Sequence, residues 1–280
     1  MERYKILQVL NNNAVLSKNK DGKEIIITGK GIGFGNSCGN KLLMQDNYRI
    51  YVLKNNAFKE KLEILLEEIP FECFNIAEKI VEMAQDELNK ELNKSVVLNL
   101  ADHLNFAIKQ FNNKKTQVIL MSEEVRLYYQ KEYMVGEKAL TLVNDYYRIN
   151  LPIQEASSIA FHIINAEYNN RMDETSLIMS TTKDLLTIIY DNNLVNNKNS
   201  YYYNRLIVHI KYFVQRIIKN SSLDEKSNNY LVINKDAEHY EVITNCIKQI
   251  EQYLLEHFNY KISDTEKMYL IMHISVVKDN

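Results

Sequence analysis

A small antiparallel β-sheet head followed by two all-α helical bundles is the architecture this sequence predicts, and three observations predict it. Six of the seven glycines fall between Gly22 and Gly39, whereas everything beyond Gly39 holds only Gly136, Pro70 and Pro152. Glycine admits positive φ and close backbone approach, and its near-absence afterwards suits helices. Near Phe58 the short apolar runs of the head give way to helical apolar spacing. The net charge of −2 also divides: residues 1–56 carry nine Lys/Arg against four Asp/Glu, leaving 25 against 32 for the rest. A basic head and an acidic body favour an anionic partner for the head.

Taken in order, Lys5–Leu10 reads as a strand, Asn11-Asn12-Asn13 as a turn and Ala14–Ser17 as a second strand. Asp21-Gly22 turns the chain into Glu24–Thr28, and Tyr48–Leu53 supplies a fourth strand, giving one small sheet. A sheet of that size has little core of its own, so self-association into a homodimer is expected. Lys54-Asn55-Asn56 is a polar junction. Helical spacing starts at Phe58 with Leu62, Leu65, Leu66 and Ile69, and Pro70 interrupts that helix before a longer one begins. The domains expected are therefore 1–56, 57–170 and 171–280. The Asn-rich stretches Asp191–Ser200 and Asn220–Asn229 read as loops inside the last of these.

The chain begins without the apolar core of a secretion signal, and no run approaches the length of a membrane span. Cys38, Cys73 and Cys246 are scattered and odd in number, which fits a reduced, cytoplasmic compartment.

The segment Gly29-Lys30-Gly31-Ile32-Gly33-Phe34-Gly35 fits neither phosphate-binding loop. A dinucleotide fingerprint would need glycine at Phe34 or Asn36 and a helix after it, and a P-loop would need Gly-Lys-Ser/Thr where Asn40-Lys41-Leu42 stands. Two readings remain: a glycine-rich turn that buries one aromatic, or a flexible basic loop whose aromatic stacks on an unpaired base.

The body repeats itself. Asp102–Lys109 resembles Val208–Gln215, with His103 and His209 in register. Glu155 precedes His162 by seven residues as Glu266 precedes His273. A single histidine in such an apolar stretch is more often a core residue; paired recurrence favours a shared chemistry. Neutral imidazole is a good nitrogen nucleophile near neutral pH. Asp102 is placed either to orient the His103 ring or simply in solvent, and His239 and His257, outside the repeat, read as surface positions. The competing use is a metal-dependent helical hydrolase. No His-Glu-x-x-His element and no three- or four-residue ligand spacing occurs, so its ligands would have to converge in space.

The run Leu10-Asn11-Asn12-Asn13 followed by Gly29-Lys30-Gly31-Ile32-Gly33-Phe34 resembles the RNA-binding head of the BglG/SacY/LicT-type transcriptional antiterminators. The stretches around His103, His162, His209 and His273 are similar, in order, to the four histidine motifs of their paired phosphotransferase regulation domains. The resemblance implies a dimeric head that binds an RNA hairpin in an operon leader, through Asn13, Gly29, Lys30, Gly31 and Phe34, and prevents a terminator from forming. It implies phosphorylation at His103, His162, His209 and His273: by a sugar-specific transporter, enzyme II, on the first domain, which inhibits, and by the phosphocarrier protein HPr on the second, which activates. Glu68–Cys73 and Arg148–Asn169 look most like members serving β-glucoside operons. No cofactor, no metal, no membrane insertion and no enzymatic activity is implied. A DNA-binding activator with the same regulation domains is the neighbouring class, against which the strand pattern of the head speaks. Two departures stand out. Gln8 occupies a position where the family often has lysine, and Ser275-Val276-Val277 replaces a basic residue after His273, which makes His209 the better acceptor of the second pair.

Overall fold

The computed structural model describes residues 3–45, 48–52, 68–93, 95–114, 122–168, 171–219 and 239–279. The chain divides into two compact units, Met1–Ile119 with Met134–Glu167, and Leu120–Tyr133 with Tyr168–Asn280.

The first unit opens with two antiparallel sheets. A ribbon pairs β1 (Arg3–Lys5) with β5 (Lys41–Leu43), and a four-stranded sheet runs β2 (Gln8–Asn11), β3 (Ala14–Lys18), β4 (Glu24–Thr28), β6 (Arg49–Val52). The fold class is the one expected, but the single sheet is not. Lys5–Leu10 is interrupted at Ile6 and Leu7, and Lys41–Leu43, not anticipated as a strand, pairs with the detached front portion. The cause is a change of partner between adjacent residues. Ile6 N–H donates to Asn40 O (2.9 Å) and Ile6 O accepts from Gly39 N–H (2.8 Å), while Leu7 N–H donates to Leu16 O (2.8 Å). Tyr4, Ile6, Val15, Ile25, Ile27, Ile32 and Leu42 form the buried core, with Val9, Met44, Tyr48 and Ile50 packed against it.

Among the described residues this unit also holds four helices: α1 (Phe71–Leu88), α2 (Val96–Asn112), α4 (Gln130–Tyr147) from Met134 onward, and α5 (Gln154–Glu167). α1 starts directly after Pro70, whose φ of −56° suits the position before a helix, and buries Cys73, Phe74, Ile76, Ala77, Ile80, Val81 and Ala84 at helical spacing. It ends at Asn89, which closes it in the left-handed conformation (φ 51°). α2 packs against both α1 and α5. Arg49 on β6 reaches Glu78 (3.2 Å) and Glu82 (3.5 Å) on α1. The helix expected from Phe58 lies outside the described residues, as do Leu53–Asn56 and the Asn220–Asn229 stretch.

The second unit holds α3 (Ser122–Tyr128), α6 (Met172–Asp191), α7 (Tyr201–Ile218), α8 (Tyr240–Phe258) and α9 (Asp264–Asp279). The residues after Asp191 form turns up to Ser200, whose hydroxyl accepts from Tyr203 N–H (3.0 Å) and caps α7. α6, α7, α8 and α9 pack on one another, with α3 against α6 and α7. Among the described residues no helix is long and apolar enough to cross a membrane.

Candidate functional sites

The glycine segment is a tight, braced turn. Gly31 N–H donates to Asn13 Oδ1 (2.9 Å), Gly29 N–H to Asn13 O (2.9 Å) and Gly33 N–H to Asn12 O (3.0 Å), so the β2–β3 corner holds the loop at three points. Gly31 sits at φ +72°, where a side chain would be strained, and a Cβ on Gly33 would overlap the Asn11 carbonyl oxygen. Gly29 is buried against the ring of Tyr48. The two large apolar residues of the loop part company: Ile32 is 1% exposed and belongs to the core, while Phe34 is 79% exposed. Of the two readings of this loop, the buried aromatic is therefore excluded. Lys30 and Gly31 are exposed and Asn13 half-buried beside them. Tyr48 and Ile32, which fix the loop from beneath, were not singled out from sequence; their roles depend on contacts far along the chain.

Each helical unit brings its two repeat histidines together. In the first, His103 on α2 and His162 on α5 lie with ring centroids 5.0 Å apart. His103 Nε2 meets Glu155 Oε2 at 3.0 Å, and Glu155 is itself only 3% exposed. Asp102 is exposed, and the acid at the ring is Glu155. Burial, with the neighbouring His103 ring second, lowers the His162 pKa to about 3, so this ring is neutral.

In the second unit, His209 on α7 and His273 on α9 stack at 3.6 Å between centroids. Tyr269 Oη lies 2.6 Å from His209 Nδ1 and its ring edge packs on His273. Burial lowers both imidazole pKa values, His273 to about 4, with His209 and Arg205 adding repulsion there and Arg205 at His209. Buried His273 Nε2 has no hydrogen-bond partner among the described residues. Glu266, the counterpart of Glu155, does not reach a histidine; it accepts from Tyr260 Oη (2.9 Å), Ser263 N–H (3.1 Å) and Ser263 Oγ (3.0 Å). Both pairs are half-buried or buried and imidazole is nucleophilic in type, which is chemistry for accepting a phosphoryl group. Among the described residues no group of three or more His, Cys, Asp or Glu side chains could hold a metal ion. Of the other two histidines, His257 is exposed and His239 half-buried.

Comparison with known proteins gives these features a common frame. Residues 4–60 match the CAT RNA binding domain, and residues 78–166 and 183–277 each match the PRD domain. The chain is 33% identical over 276 residues to the transcription antiterminator LicT of Bacillus subtilis (strain 168), covering 98% of both. It belongs to the CAT–PRD family of transcription antiterminators. The beta-glucoside operon antiterminator of Dickeya chrysanthemi is 29% identical over 98% of this chain and 96% of its own. A crystal structure of GlcT CAT-PRDI aligns over 59% of this chain and 99% of that one, with a TM-score of 0.51 and 25% identity. Members of the CAT–PRD family are RNA-binding regulators and not enzymes, so the metal-dependent hydrolase and the DNA-binding activator both fall away.

Proposed function

We propose that this chain is a sugar-responsive antiterminator, acting in the cytoplasm, that binds a hairpin in the nascent leader of a β-glucoside-type operon. Residues 1–56 form the RNA-binding head and act as a homodimer, and 57–170 and 171–280 are the two regulation domains. The exposure of Phe34 on a turn braced by Asn13 carries this reading: a large aromatic is kept in water beside Lys30, where a base can stack on it. Asn13, Gly29, Lys30, Gly31 and Phe34 make the RNA surface. Asn13 and Gly29 serve it chiefly by holding the loop, Lys30 and Phe34 by contact. Gln8, exposed on β2, lowers the number of cationic contacts.

His103, His162, His209 and His273 are the phosphoryl acceptors, enzyme II supplying the first pair and HPr the second. Of the second pair His209 is the better acceptor, because His273 Nε2 is buried without a partner among the described residues. The sugar class rests on the named function of the Dickeya relative. The test is binding of the full-length chain to a partially mismatched RNA hairpin and to duplex DNA of the same sequence, at two salt concentrations. Salt-sensitive, RNA-selective binding supports the reading, and equal affinity for the two nucleic acids sinks it.

A further inference from the structure

The two modules share a Glu–x6–His frame but use the glutamate differently, and the sequence says why. Three residues before Glu266 stands Ser263, whose N–H and hydroxyl both donate to the carboxylate, while Glu266 N–H lies 3.3 Å from Ser263 Oγ. This reciprocal box caps α9 and occupies Glu266. Three residues before Glu155 stands Pro152, which has neither N–H nor hydroxyl to offer. Six residues before, Tyr260 in the second module is matched by Ile149 in the first, so the phenol that also engages Glu266 is missing. Glu155 is thereby left for His103, 3.0 Å away.

A carboxylate oxygen can only accept a hydrogen bond, so the ring nitrogen facing it must carry the hydrogen. From this we infer that Glu155 is a positioning residue: it fixes the proton of His103 on Nε2 and leaves the lone pair on Nδ1, making Nδ1 the atom that takes the phosphoryl group. This deepens the reading of His103 as an acceptor and rests on it. The Nδ1 lone pair attacks the phosphorus of the donor's phosphoryl group. The new N–P bond forms as the bond between phosphorus and the donor atom breaks, and that electron pair returns to the donor atom. The Nε2 proton stays in place, and the cationic character the ring acquires is stabilised by Glu155. The product then holds a phosphoryl dianion close to a carboxylate that is almost fully buried, a like-charge conflict the second module, with Glu266 already tied into its own helix cap, is spared.

The experiment uses the full-length chain labelled with 15N-histidine, the His103 resonances being assigned by their loss in His103→Ala. Nitrogen–proton correlation spectra report the tautomer before phosphorylation; phosphoramidate, which gives up its phosphoryl group with loss of ammonia, then serves as the probe donor, and phosphorus–proton correlations report which nitrogen is modified. Expected are an Nε2–H tautomer and an Nδ1 adduct. In Glu155→Ala both should give way to mixtures, and in Glu155→Gln, whose amide oxygen still accepts, the tautomer should be retained. An Nδ1–H tautomer in the unaltered chain, or a tautomer indifferent to Glu155→Ala, overturns the inference. No adduct at His103 with the expected tautomer in place would instead bring down its role as a phosphoryl acceptor.

Discussion

Phe34 and Gly33 lie next to each other and invite opposite experiments. Removing the Phe34 ring takes away nothing the fold uses, since the ring is in solvent. Phe34→Ala is expected to leave the melting temperature unchanged and to weaken hairpin binding by about 1–3 kcal/mol, measured by titration at fixed salt. Gly33→Ala puts a methyl group into the Asn11 carbonyl, and a forced shift of that kind costs about 1–3 kcal/mol of stability. Denaturant unfolding of the variant should show it; an unchanged midpoint would mean that the β2–β3 corner yields freely. The polar and glycine residues of this loop were legible in sequence because loop chemistry is local. Whether its aromatic faced core or water was not, because that choice is made by Ile32, which takes the core position instead.

Among the elements, the β1–β5 ribbon was the one that sequence misplaced. Lys5–Leu10 is an apolar-rich run that reads as a strand, although the adjacent Ile6 and Leu7 already depart from strict alternation. The break comes from Gly39 and Asn40, more than thirty residues on, capturing Ile6. The helices were easier, because a buried stripe such as that of α1 is written at i, i+3 and i+4 within the element itself. In the ribbon Lys5 stands directly opposite Lys41, and both are exposed. Like charges across a strand pair oppose pairing, so Lys41→Thr should stabilise the chain by a few tenths of a kcal/mol, up to about 1. If this face also meets RNA phosphates, the same change lowers the slope of log affinity against log salt by roughly one. A slope identical to that of the unaltered chain would confine the electrostatic contact to other cations such as Lys30.

At the scale of the whole chain, stability is expected to fall with acid, and the sign follows from His162. Its pKa drops from 6.5 to about 3 on burial, so between those values the unfolded chain binds a proton that the folded chain does not. Its contribution is complete above about pH 6.5 and is lost progressively as pH falls towards 3, at up to about 1.4 kcal/mol per unit. His273, lowered to about 4, acts in the same direction, less strongly because solvent screens it more. Denaturant midpoints near pH 7 and pH 5 should differ accordingly, and His162→Gln should flatten the difference; an acid sensitivity unaltered in that variant would assign it elsewhere. The paired histidines were visible in sequence through the repeat, but their opposite carboxylate habits were not until Pro152 and Ser263 could be compared as helix starts. The chain also contains no tryptophan among its 280 residues, so Phe34→Trp would make the loop the sole indole in the molecule. Excited selectively, past the absorption of the 19 tyrosines, that indole would emit at the long wavelengths of a wet side chain and dim as a base settled on it, giving the protein an optical readout of its own RNA occupancy.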